Sequence, residues 1–97
     1  MILELTDKER KELWKLAVDY TSNHTDIIHD YNNHSLMELD IYAVSRKIYD
    51  KIFDETASFS ASEINNILCL IANYSEDNTQ TQNLYNKVEE SLHENND

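Results

Sequence analysis

Residues 35–54, SLMELDIYAVSRKIYDKIFD, read as one helix of about five turns. Ser35 is placed to cap its start, and Glu38 to reach back to the Ser35 amide, the reciprocal pairing of a capping box. Behind the cap, Leu36, Ile41, Val44, Ile48 and Ile52 recur every three to five residues, with Tyr42, Tyr49 and Phe53 along one flank. A stripe this wide needs partners on more than one side, so the other elements are expected to wrap this helix.

Upstream, Thr6-x-x-Glu9 is a second capping box. The apolar stripe behind it runs Leu13, Leu16, Ala17, Tyr20, then His24, Ile27, Ile28 and Tyr31, with a period that stays helical. One helix from Asp7 to about Asn32 is the first expectation. Its weak point is Thr21 to Asp26, six poor helix formers in a row, where a kink or a restart capped by Asn23 or Thr25 is the alternative. Asn32, Asn33 and His34 are expected to turn into the central helix.

Downstream, Ser60-x-x-Glu63 is a third capping box, and Phe59 and Ile64 have hydrophobic-staple spacing around it. The helix that follows carries Ile64, Ile67, Leu68 and Ile71, with Cys69, Leu70 and Ala72 leaving little polar face. A helix apolar nearly all round is buried, so this one belongs inside or at an interface. Asp77-x-x-Gln80 is a weaker box, and Leu84, Tyr85, Val88 and Leu92 stripe a last helix. Four helices at about 7–32, 36–54, 61–75 and 78–93, joined by short loops, predict an all-α fold: a compact antiparallel four-helix bundle, one domain over 1–97, with a C-terminus fraying from about Glu94.

Composition agrees. The 97 residues contain neither Gly nor Pro, which tight β-hairpins normally need. Asn, the best remaining residue for left-handed helix ends, is abundant. The bias toward Asn, Ile and Tyr is also what AT-rich codons produce, pointing to a low-GC bacterium or its phage. The single Cys69 excludes an intrachain disulfide and any paired-cysteine metal site, and reads as a core thiol in a reducing cytoplasm. No apolar run approaches a membrane span, and the charged start does not have a signal-peptide layout.

The net charge is −11, and it is uneven. Residues 1–15 balance acids and bases, whereas residues 52–97 hold a single base, Lys87. Such a field repels nucleic acid and anionic membrane and attracts basic protein surfaces.

Candidate chemistry is sparse. His24, His29 and His34 are five apart, a spacing that does not converge on a helix; His24 reads as a half-buried, hydrogen-bonded histidine. Asp26, Asp30 and His34 have metal-ligand spacing but need a further ligand. Glu9-x-x-Glu12 has the carboxylate spacing of the Mg²⁺ sites in all-helical nucleotide pyrophosphatases, which require a second acidic pair on a facing helix; Asp26 with Asp30, or Asp50 with Asp54, are the pairs available. Glu9 already has a capping role and Glu12 sits among Lys8, Lys11 and Lys15, which favours ordinary i,i+4 pairing. Cys69 has no neighbouring cation to activate it, and without Gly there is no nucleophile elbow or phosphate-cradling loop. Lys8, Lys11 and Lys15, with Arg10 nearby, read as a charged helix face. No catalytic residue, metal or cofactor is expected.

The acidic distribution is the strongest functional pointer. Asp50, Asp54, Glu55, Glu63, Glu76, Asp77, Glu89, Glu90 and Glu94 come from helix ends and outer faces, and grouped together they would suit a basic groove. Trp14, Tyr42 and Tyr49 are candidate aromatic anchors, or else cover the edge of a small core. The expected function is a non-enzymatic, cytoplasmic protein-binding module. It would be a small acidic inhibitor or regulator of the phage or mobile-element anti-defence type, such as an anti-CRISPR or nuclease inhibitor. Its expected partner is a basic protein surface, with no direct binding to nucleic acid or membrane. The alternatives are a homo-oligomeric helical protein that buries the third helix and spare aromatic faces against a second copy, and a Mg²⁺-dependent hydrolase using Glu9 and Glu12.

Overall fold

The computed structural model describes residues 1–28, 34–74 and 79–94. Within them lie four α-helices: α1 (Asp7–Asn23), α2 (Leu36–Lys51), α3 (Ala61–Tyr74) and α4 (Thr79–Glu94). A 3₁₀ turn, Thr25–Ile28, follows α1. The expected Asp77/Gln80 cap, the Asn32–Asn33 turn and the fraying of the last residues lie outside what is described.

Local chemistry sets the helix starts. Thr6 Oγ1 accepts the Glu9 amide at 3.2 Å, and the Thr6 amide donates to Glu9 Oε1 at 2.8 Å, a complete capping box. Ser60 and Glu63 repeat it at 2.9 and 3.1 Å. At Ser35 the Glu38 amide donates to Ser35 Oγ, and the Glu38 carboxylate takes the Ser35 hydroxyl and His34.

The run of poor helix formers ends α1 at Asn23, so the unbroken helix to Asn32 gives way to the break. Thr21 Oγ1 donates back to the Ala17 and Val18 carbonyls, and the His24 amide reaches Thr21, one residue short of a helical partner. His24 then stacks on Tyr20, centroids 4.0 Å apart, and its Nδ1 donates to the Tyr20 carbonyl at 2.8 Å.

The helices alternate in direction. Trp14 meets Tyr49, and the Tyr20 hydroxyl donates to the Glu38 carbonyl, so α1 and α2 are antiparallel. Lys47 pairs with Glu63 at the start of α3, and Tyr74 at its end donates to the Asp19 carbonyl. Lys87, in the second half of α4, pairs with Glu9 in the first turn of α1. It is α3 that packs on all three other helices, whereas α2 packs on α1 and α3. The stripe of α2 does find two partners, but the hub is the more apolar helix, with Ile64, Ile67, Leu68, Leu70 and Ile71 buried. Leu36, expected in the α2 stripe, is 80% exposed because it stands five residues before Ile41, about 140° around the helix from it. Cys69 is only partly buried at the edge of the core.

A latch that local sequence does not announce closes one end. The N-terminal segment runs antiparallel to the α2–α3 connector through an isolated bridge between Ile2 and Ser58, with the Phe59 amide donating to the Met1 carbonyl at 2.7 Å. Leu3, Leu5, Ile52 and Phe59 are buried beneath it. Arg10 ties the layers together: Nε donates to the Leu5 carbonyl, Nη2 to Leu3 and Nη1 to Ile52, at 3.2, 3.0 and 2.6 Å. The side chain read as part of a charged surface is thus a buried staple.

Candidate functional site: an acidic end and an aromatic seam

Alternating helix directions bring the end of α2, the start of α3 and the second half of α4 to the end of the bundle where α1 begins. Exposed Asp50, Asp54, Glu55 and Glu90 come to that end, joined by Glu4 and Asp7, which sequence reading did not include. The topology is the signal that finds those two, since nothing local sets them apart. Glu89 is half-buried on α4. Lys8 and Lys51 also lie at this end.

Two of the expected contact carboxylates have internal work. Asp54 Oδ1 accepts the Thr56 hydroxyl at 2.7 Å and the Thr56 amide at 2.9 Å, and these bonds hold its carboxyl below the usual range. Burial pushes the Glu63 carboxyl up, but the Ser60 amide and Lys47 outweigh burial, leaving its pKa lowered. Lys47 Nζ is 3.0 Å from Glu63, donates to the Ser58 carbonyl and sits 4.7 Å over the Phe59 ring. Glu76 and Asp77 lie outside the described residues, as does the side chain of Glu94.

An open cleft of about 540 Å³ separates the first turns of α1 from α4, with Glu9, Glu12, Asn83, Asn86, Lys87 and Glu90 among its lining residues. Glu9 Oε1 is 2.8 Å from Lys87 Nζ. Burial raises the Glu9 pKa, but the hydrogen bonds from Lys87 and Thr6 prevail and lower it. Where a Mg²⁺ site would need a second acidic pair opposite Glu9 and Glu12, α4 presents a single carboxylate, Glu90, with an ammonium and two amides. Asp50 is on α2 and Asp54 lies past its end, neither among the residues lining this cleft, and Asp26 is beyond the far end of α1. Among the described residues no group of three or more His, Cys, Asp or Glu side chains could hold a metal ion. Asp26 and Glu38 instead flank His34, at 3.2 and 2.7 Å. The Glu38 hydrogen bond leads over a smaller opposing effect of burial, and with the Asp26 charge it raises the His34 pKa.

The three candidate anchors converge on the outer seam between α1 and α2. Trp14 stacks on Tyr49 with centroids 5.6 Å apart, and Tyr42 lies two turns above Tyr49 on the same flank. Trp14 and Tyr42 are half-buried against the core, so they do cover its edge, yet Tyr49 is 48% exposed and Phe53 57%. Phe53 completes the stripe at i+4 from Tyr49. Arg46 and Lys11, each three residues before Tyr49 or Trp14 on its helix, are exposed and make no hydrogen bond or ion pair among the described residues. No described helix is long and apolar enough to cross a membrane. Comparisons with protein-family models, with curated proteins and with solved structures found no match to this chain.

Proposed function

We propose that this chain is a non-enzymatic protein-binding module whose acidic end engages a basic surface on a nucleic-acid-handling protein. The observation that carries the reading is the gathering of exposed Glu4, Asp7, Asp50, Asp54, Glu55 and Glu90 at one end of the bundle. In a chain of net charge −11 this end would draw a cationic groove by long-range attraction and then occupy it. Small acidic helical inhibitors of nucleases and defence complexes, anti-CRISPR proteins among them, act in this manner, and the proposal places this chain in that functional class by analogy. It would act in the cytoplasm, that of the host if a phage encodes it.

The test is capture of bacterial lysate proteins on the immobilised chain and on a variant carrying Glu4→Lys, Glu55→Lys and Glu90→Lys. These three positions are chosen because no cap or turn described above depends on their carboxylates. Nucleic-acid-binding proteins are expected on the native chain at low salt and not on the variant. The same proteins retained equally by both would refute the reading.

A further inference from the structure

We infer that the α1–α2 seam is a self-complementary face that pairs with a second copy of this chain about a two-fold axis. On it lie Trp14, Tyr49 and Phe53, toward the end of α2, with the last two about half exposed. Around them are charges of both signs: Lys11 and Arg46, and Asp7 and Asp50, all exposed and none in a hydrogen bond or ion pair among the described residues. Helical spacing keeps opposite signs close along the seam, since Asp7 precedes Lys11 by four residues and Arg46 precedes Asp50 by four. A purely basic ligand would meet Lys11 and Arg46, and a purely acidic one Asp7 and Asp50. A rotated copy brings cations to acids and aromatic rings to aromatic rings, which is what an isologous contact requires. The apolar third helix is no rival surface, because it is packed on all three other helices.

Size sets the strength. Helices of 16 and 17 residues are about 25 Å long and, side by side at roughly 10 Å, offer a face on the order of 500 Å². That is less than the ~800 Å² per partner of a standard interface, so the pair forms only at high concentration. Its response to salt also follows: two copies of net charge −11 repel at long range, and added salt screens that repulsion while leaving apolar contact intact. Acidic-end binding has the opposite salt dependence, so the two proposals stand or fall separately.

Sedimentation equilibrium from micromolar to millimolar protein tests the inference. The average mass is expected to rise from 11.4 kDa toward twice that value, at lower concentration in high salt than in low salt. The combined Tyr49→Asp and Phe53→Asp variant should remain monomeric. A second readout is the indole N–H resonance of the one tryptophan, Trp14, expected to shift on concentrating the native chain. A monomer at every concentration, growth past the dimer, dimerisation undiminished in the variant, or a rising mass with an unmoved indole resonance would each overturn the proposal.

Discussion

The chain has two arginines, and they occupy opposite environments. Arg10 sits inside the latch, donating to three backbone carbonyls, two in the N-terminal segment and one at the end of α2. Arg46 lies on the seam, exposed and without a hydrogen-bond partner among the described residues. Lys47 and Lys87 side with Arg10, each held by a carboxylate. In a protein this acidic, cations are scarce, so their placement separates what holds the fold from what remains open to contact. Arginine suits the latch because its planar fork reaches several acceptors at once.

The sharpest way to break this comparison is to remove each guanidinium while keeping the stem. Arg10→Met leaves three buried carbonyls without their donor and is expected to lower unfolding free energy by roughly 3 kcal/mol. Arg46→Met should change it by no more than about 0.5 kcal/mol. Urea unfolding of both variants in one buffer measures the difference, and equal effects would erase the distinction. Leu3→Ala probes the same latch through packing. It is expected to cost on the order of 2–3 kcal/mol, because Leu3 is fully buried beneath the segment that Arg10 fastens.

Lys47→Met is a smaller step. The side chain is about a third exposed, so loss of its ion pair and ring contact should cost roughly 1 kcal/mol. The outcome is read as a lower unfolding midpoint in urea without a change in slope.

The acid side of the pH profile follows from the paired carboxylates. The pKa values of Glu9 and Glu63 are lowered in the fold, so their stabilisation is present above the ordinary carboxylate pKa and is lost as pH falls through the folded values. Melting temperature should therefore drop below about pH 4.5, and Glu63→Gln should flatten part of that drop. His34 works in the other direction. Its pKa is raised between Asp26 and Glu38, so its contribution is full below about pH 6.5 and is lost as pH rises through the folded value. A small decline in melting temperature on the alkaline side, absent in His34→Gln, is the expected result; an unchanged profile would show that the bridge does not hold the 3₁₀ turn to α2.

Much of this fold is legible where the determinants are local. Thr6 with Glu9 and Ser60 with Glu63 announce helix starts because the cap is made within four residues. The run from Thr21 to Asp26 marks where α1 stops because its side chains compete for backbone carbonyls. The latch is not legible in the same way: Ile2 and Ser58 are far apart in sequence, and Arg10 resembles its lysine neighbours until the carbonyls it meets are known. Leu36 is apolar, but the five-residue step to Ile41 turns it about 140° away from that buried side chain, so its exposure is legible in the spacing itself. The acidic end was half visible. Asp50, Asp54, Glu55 and Glu90 stand out by composition, but their convergence with Glu4 and Asp7 depends on alternating helix direction. The seam residues Trp14 and Tyr49 stand out as aromatic anchors, whereas the charges beside them gain meaning only once Arg10, Lys47 and Lys87 are seen to be engaged in the fold.

The most direct test of the central claim is the salt dependence of binding between this chain and a protein that it captures through its acidic end. From about 0.1 M to about 1 M NaCl the Debye length falls from roughly 10 to roughly 3 Å. Affinity should decline steeply across that range for the native chain, while the variant carrying Glu4→Lys, Glu55→Lys and Glu90→Lys binds weakly throughout. An affinity that is flat in salt and equal for both chains would contradict a function resting on the carboxylates.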